Sequence, residues 1–336
     1  MTSLADLVRA EIERWNVSVV EQAVFGTSEP AEIAAMVDDL CGRALGSGVA
    51  AGLCYGTSVG CVAGVELRDG RRVVVKAYQP RWSDGFLSTV ADVQAVVATS
   101  GFPCPAPLAG PVEIGLGLAN IETYLPDPGQ PPIVPEMLEV SAAGLARVAA
   151  ALRGVDGSGL AGHPMSLPSE DLYPTPHSPL FDFESTHEGA GWIDEIAVAA
   201  RAARDADPTA PIAVHGDWAA RNVRLGRREV MAAYDWDSLL WRPESEAVGI
   251  AAATWSALGV TGDPIAPSAD EVRHYVAAYE AVRDEPLLPE QRRAAYGSAL
   301  YGLAYTARCE HALDRGAEVH MRARARLRAE GMTLLS

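Results

Sequence analysis

The hydrophobic pattern of this chain changes period at one place. Before Pro126-Asp127-Pro128-Gly129 it carries short β-branched runs broken by turns; after it, small and apolar residues recur mostly at helical spacing. Strands repeat every two residues and helices about every 3.6, so the two halves ask for different backbones. Two prolines and a glycine in four residues end either kind of element. At 336 residues the chain is also longer than most single cores. These features predict an α+β chain of two domains. Residues 1–125 form an antiparallel-sheet lobe with leading helices, and residues 126–336 a mainly helical lobe.

Within the first half, residues 3–25 and 29–45 are expected as two helices. Leu4, Leu7, Val8, Ile12 and Trp15 recur at helical spacing, and Ser28 before Glu29-Pro30 marks a start. Between 49 and 78 the pattern turns to strands. Val62, Val65 and Leu67 lead into Arg68-Asp69-Gly70-Arg71, and Val73-Val74-Val75 follow, a hairpin signature. A helix over 86–100 and a strand pair ending at Ile121–Leu125 complete this half. In the second half, 136–153 and 189–205 are expected as helices, with further helices from 244 onward. Residues 157–185, rich in proline and serine, are expected as a long ordered loop, and 212–236 as a β island.

Composition narrows the function. Twenty-seven basic against 44 acidic residues give a net charge of −17, which repels phosphate backbones and argues against nucleic acid as a partner. An acidic cleft would suit a cationic small molecule, although net charge alone equally well serves solubility. The five cysteines, Cys41, Cys54, Cys61, Cys104 and Cys309, show no zinc spacing and are expected as reduced thiols. With Asp6, Arg9, Glu11 and Glu13 in its first turns no signal peptide is expected, and no apolar run approaches the ~20 residues that span a bilayer. A cytoplasmic protein without a membrane partner, monomeric or homodimeric, is expected.

The chemistry concentrates in His215-Gly216-Asp217-Trp218-Ala219-Ala220-Arg221-Asn222 and in the later Tyr234-Asp235-Trp236-Asp237. Asp217 and Asn222 lie five apart in a loop. Val223–Leu225 and Val230–Tyr234 are expected as short strands turning near Gly226, which would bring Asp235 back beside Asn222. A carboxylate, an amide oxygen and a second carboxylate would then converge. Hard oxygen donors suit Mg2+, and a separate carboxylate can accept the proton of an attacking hydroxyl.

This order and spacing, H-G-D-x-x-x-x-N followed by an apolar strand and D-W-D, resembles the aminoglycoside phosphotransferase family, a relative of protein kinases. The resemblance runs from about residue 50 to about residue 255. It implies a protein-kinase-like bilobal fold and a kinase that moves the γ-phosphate of ATP or GTP to a hydroxyl of a small molecule. By it, Asp217 is the catalytic base, His215 braces the loop, and Asn222 and Asp235 ligate Mg2+. Lys76, ending Val73-Val74-Val75-Lys76, pairs with the nucleotide phosphates. Gly56, Thr57 and Ser58 belong to the nucleotide loop. The backbone of Glu122 and Tyr124 meets the adenine edge.

Some residues depart from the family pattern. The helix after Lys76 reads Leu87-Ser88-Thr89-Val90-Ala91-Asp92-Val93-Gln94 and holds no glutamate to pair with the lysine; Asp92 or Gln94 could substitute. This motivates an alternative, a nucleotide-binding pseudokinase without turnover. Glu244 and Glu246 either support the catalytic loop or start a helix, where acids favour the dipole. Asp237 would share a strand face with Asp235. Asp171–Phe183 either walls an acceptor pocket or covers the core of the second lobe. The acceptor is open between an amino sugar or aminoglycoside and a metabolic sugar, choline or amino alcohol.

Overall fold

The structure, a computed structural model, describes residues 2–164, 171–174, 176, 181–258, 266–313 and 322–336. The chain divides into two compact units. One is Met1–Pro126 with Gly162–Met165; the other is Asp127–Ala161 with Ser166–Ser336.

The first unit opens with three helices, α1 (Leu4–Trp15), α2 (Val19–Phe25) and α3 (Pro30–Leu45). The helix expected over 3–25 is thus two helices. Asn16 adopts the left-handed conformation at φ 53°, which asparagine tolerates, and ends α1. Pro30 takes the first position of α3, where its missing N–H costs nothing.

Then follow β1 (Val49–Thr57), β2 (Gly60–Leu67), β3 (Arg72–Tyr78), α4 (Asp84–Thr99), β4 (Pro107–Ile114) and β5 (Gly117–Thr123). The five strands form one antiparallel sheet in the order β1-β2-β3-β5-β4. One sheet face, with Val65, Val73, Val75, Ala77 and Ile121, packs against Val8, Val24, Ile33, Val37 and Leu40 of α1–α3. Alternation sends Lys76 and Asn120 to the other face. That face meets α4, since Asn120 Nδ2 donates to the Leu87 carbonyl at 3.1 Å.

The second unit is mainly helical: α5 (Met137–Leu152), α6 (Gly191–Arg204), α7 (Glu244–Thr254), α8 (Ala269–Ala281), α9 (Pro289–Leu313) and α10 (Arg322–Glu330). Between α6 and α7 lie four short strands, β6 (Ile212–His215), β7 (Val223–Leu225), β8 (Val230–Ala233) and β9 (Leu239–Arg242). They pair as β6 with β9 and β7 with β8, both antiparallel. The β island therefore extends past residue 236. Leu239-Leu240-Trp241-Arg242 is too short a run to reveal a strand until β6 is beside it.

Asp235 and Asp237 do not share a strand face. Strand β8 ends at Ala233, Asp235 is left-handed at φ 62°, and Trp236–Ser238 form a 3-10 turn. Alternation stops where the strand stops.

Helix α5 approaches the strands closely at Gly144. A Cβ there would lie 2.5 Å from Val230 Cγ2 and 3.1 Å from the Trp218 ring. Neither neighbour has room to retreat, because Trp218 is fully buried and Val230 nearly so. Overpacking of this kind costs about 1–3 kcal/mol. Gly144→Val is expected to lower the urea unfolding midpoint by a loss in that range at unchanged m-value. An unaltered midpoint would mean that α5 can shift outward freely.

Candidate active site

The segment Gly216–Asn222 bridges β6 and β7 and is fixed by its own backbone. The Gly216 N–H donates to the Ser238 carbonyl at 3.0 Å, Ala220 N–H to Trp255 O at 2.9 Å and Arg221 N–H to Ala257 O at 2.8 Å. Trp218 anchors it from below. Its indole N–H donates to the Ser141 carbonyl of α5 at 3.0 Å, and its ring is fully buried.

His215, 1% exposed, joins this loop to the β7–β8 hairpin. The Asp217 backbone N–H donates to Nδ1 at 3.3 Å, so Nδ1 carries no proton. The ring proton therefore sits on Nε2, which lies 3.0 Å from the Tyr234 carbonyl and donates to it. The Ser238 hydroxyl is 3.3 Å from Nδ1 and donates to the Asp235 carbonyl at 2.7 Å. Trp218 and Trp236 present edge-to-face contacts to the imidazole, with centroids 5.4 and 5.3 Å away. One buried neutral ring thus ties the residue before Asp235 to Asp217.

Two side chains meet Asp217. Asn222 Nδ2 donates to Asp217 Oδ2 at 2.7 Å and to its backbone carbonyl at 3.1 Å. Arg221 Nε donates to Oδ2 at 3.1 Å, and the Arg221 NH2 group donates to Oδ1. The role of Arg221 was not legible from sequence. The only signal was its position four residues after Asp217, the spacing at which side chains meet on one helical turn.

The hairpin delivers Asp235. Val223 pairs with Ala233, and the Tyr234 N–H donates to the Asn222 carbonyl at 2.9 Å. Asp235 is then the next residue along. With its Nδ2 committed to Asp217, Asn222 has Oδ1 left to accept or ligate. That oxygen and the Asp235 carboxylate are hard donors of the kind a Mg2+ ion takes when substrate phosphates supply the rest. Among the described residues no group of three or more His, Cys, Asp or Glu side chains forms a self-sufficient metal cage. The donor set fits a cation shared with a phosphate, not a structural ion.

In the sheet unit, one cross-strand row runs Gly56–Val62–Lys76–Asn120 over β1, β2, β3 and β5. Strands lie about 4.8 Å apart, so Gly56 and Lys76 are about 10 Å apart along the row. Thr57 and Ser58 continue to the hairpin tip. Gln79 Nε2 donates to the Val59 carbonyl at 2.7 Å and so holds the tip to the end of β3. Lys76 is 9% exposed on the α4-facing side.

Gln94, not Asp92, faces the sheet from α4. Gln94 is 4% exposed and Asp92 is exposed. Its Nε2 donates to Glu122 Oε2 and to the Pro105 carbonyl, both at 2.8 Å. The helix is therefore pinned to β5 by amides, with the carboxylate on the strand. The Tyr124 N–H donates to the Arg72 carbonyl at 3.1 Å. An adenine contact through that N–H would have to break this bond.

Other flagged residues have structural surroundings. Glu244 does begin α7, and it also receives the Tyr279 hydroxyl together with Arg153 and Arg283 at 3.3 and 3.2 Å. Burial lifts the Tyr279 phenol well above its usual range, and the neighbouring Glu244 charge adds to this. Burial likewise raises the Glu246 carboxyl. Tyr173 and Phe183 pack on Tyr305 of α9, and Arg308 lies 4.7 Å from the Phe183 ring centre. This part of 171–183 covers the helical core; Thr175 and residues 177–180 lie outside the described residues. The five cysteines are free thiols, three of them buried.

An antiparallel-sheet unit followed by a mainly helical one is the protein-kinase-like fold of small-molecule kinases. An amicoumacin kinase solved with AMP-PNP and Ca2+ matches with a TM-score of 0.51 and 13% identity, over 90% of this chain and 96% of that one. An aminoglycoside phosphotransferase from Alicyclobacillus acidocaldarius matches at 0.54 and 13%, over 87% and 93%. A spectinomycin phosphotransferase solved with ADP and spectinomycin matches at 0.52 and 11%, over 90% and 93%. No functionally curated protein matches at the sequence level. The model of the phosphotransferase enzyme family matches residues 64–291, more than half of the chain, and the chain belongs to that family. Its class is that of a kinase-type small-molecule phosphotransferase.

His215→Ala would strand the Asp217 N–H and the Tyr234 carbonyl and leave a void between two tryptophans. An orphaned buried polar group costs about 1–3 kcal/mol. Denaturant unfolding of this variant is expected to show at least that loss; a parental unfolding curve would remove His215 as the brace.

Proposed function

We propose that the protein is a Mg2+-dependent kinase that transfers the γ-phosphate of ATP or GTP to a hydroxyl of a small polar molecule. The observation that carries this is the position of Asn222. Its side-chain nitrogen holds Asp217, while its backbone carbonyl holds the residue preceding Asp235. One residue thereby couples a candidate base to a candidate metal ligand.

In this account Asp217 orients the acceptor hydroxyl and takes its proton as the oxygen attacks. His215 keeps the loop and hairpin in register. Asn222 Oδ1 and Asp235 would hold Mg2+, which when bound neutralises phosphate charge. Lys76 would meet the nucleotide phosphates, and the hairpin tip at Gly56, Thr57 and Ser58 would cover them with backbone N–H groups and hydroxyls. Glu122 and Tyr124 would lie at the base-binding edge. Residues 1–125 would thus serve the nucleotide and 126–336 the acceptor. A cationic acceptor such as an aminoglycoside or amino sugar agrees with the net charge of −17 and with the acceptors of the structural neighbours. A sugar, choline or an amino alcohol would use the same chemistry. No helix among the described residues is long and apolar enough to cross a membrane. A cytoplasmic monomer or homodimer would accommodate all of this.

One observation favours a second account. Gln94 is neutral and already bonded to Glu122, so the buried α4 residue facing this side of the sheet brings no charge, as in a nucleotide-binding module with weak or no turnover. Magnesium-dependent γ-phosphate release separates the two. Asp217→Ala is expected to cost about 10²–10⁴-fold in rate; equal activity in parent and variant would remove Asp217 from the mechanism. Asp235→Asn should abolish turnover while its melting curve stays close to parent, and retained activity with the same Mg2+ requirement would contradict the metal role. Lys76→Ala should weaken nucleotide binding by calorimetry, and an unaltered dissociation constant would count against the phosphate role.

A further inference from the structure

Asp217 is held more tightly than a loop carboxylate needs to be. Arg221 reaches both of its oxygens, with Nε on Oδ2 at 3.1 Å and the NH2 group on Oδ1, and Asn222 Nδ2 adds a third donor on Oδ2 at 2.7 Å. A carboxylate offers about four lone-pair sites, two on each oxygen. Both sites on Oδ2 are then occupied, and one on Oδ1 remains. A bidentate guanidinium also fixes the plane of the carboxylate, which a single donor cannot do. Arg221 is itself anchored, since its backbone N–H donates to Ala257 O at 2.8 Å.

Stability does not account for this arrangement. Arg221 and Asp217 are 36% and 29% exposed, and a pair so open to water contributes little to folding. The guanidinium has no other partner among the described residues. What the fork does accomplish is directional: it leaves one Oδ1 lone pair facing a fixed way.

We propose that Arg221 is a positioning residue for phosphoryl transfer. Its fork holds the Asp217 carboxylate so that a single Oδ1 lone pair receives the acceptor proton. This rests on the phosphotransferase function proposed above. The O–H proton of the acceptor passes to Oδ1 as its oxygen bonds to the γ-phosphorus and the bridging bond to the nucleoside diphosphate breaks; Arg221 exchanges no atom.

The test uses the full chain with MgATP, first with water as acceptor and then with an aminoglycoside, glucosamine, glucose and choline. Arg221→Ala, Arg221→Lys and Arg221→Gln are compared with parent for the nucleotide dissociation constant, kcat and melting curve. Misplacing a catalytic group by about 1 Å costs roughly 10²-fold in rate. Arg221→Ala is expected to lose kcat on that order with nucleotide affinity within twofold of parent. Arg221→Lys, which keeps charge without the fork, should recover only part of the loss. Should the alanine variant fail to fold, Arg221→Gln carries the same expectation. Parental kcat in these variants, full recovery by lysine, or a kcat loss matched by an equal loss of nucleotide affinity would overturn the positioning role. A parent that binds nucleotide without any turnover would overturn the phosphotransferase function and this role together, and the silent parent tells that case apart.

Discussion

The candidate site depends on one buried imidazole. His215 accepts from the Asp217 N–H through Nδ1 and donates to the Tyr234 carbonyl through Nε2. Both ring nitrogens are satisfied only in the neutral, Nε2-protonated form. Removing either bond would leave a polar group stranded among Trp218, Trp236 and the apolar residues of β6. That penalty adds to the backbone hydrogen bonds of the loop and hairpin and keeps their mutual position defined. The exposed chemistry above it, the Asp217–Arg221–Asn222 cluster, is cheap in stability and inherits its geometry from the brace below.

The same division appears in the sheet unit. The face toward α1–α3 is mostly apolar, while the face toward α4 carries Lys76, Asn120 and Glu122. Two amides link that face to α4: Gln94 of the helix donates to Glu122, and Asn120 of β5 donates to the Leu87 carbonyl. Where the family pattern uses a charge from the helix to meet the strand lysine, this chain ties helix to strand by neutral donors and leaves the carboxylate on β5.

Much of this was legible in the sequence, and the failures have physical reasons. The sheet followed by helices could be read because strand and helix periods differ and Pro126–Gly129 separates them. The motif from His215 to Asp235 could be read because spacing along a loop and hairpin is a short-range property. Asn16 broke a predicted helix because a single left-handed residue leaves the apolar spacing almost intact. Strand β9 was missed because four residues carry no period without their partner. The shared face assumed for Asp235 and Asp237 failed because the chain turns left-handed at Asp235. Arg221 and Gln94 stood in plain view, yet a side chain's partner across a loop or a sheet is a three-dimensional fact. Net charge, by contrast, located nothing.

In the proposed function Asp217, Asn222 and Asp235 act on one phosphate. Transfer of γ-labelled phosphate from ATP and from GTP to a panel of aminoglycosides, amino sugars, sugars and amino alcohols tests it most directly. Label is expected on at least one hydroxylated acceptor, present with Mg2+ and lost on chelation. Firm nucleotide binding with no label moving to any acceptor or to water, at any Mg2+ concentration, would contradict it.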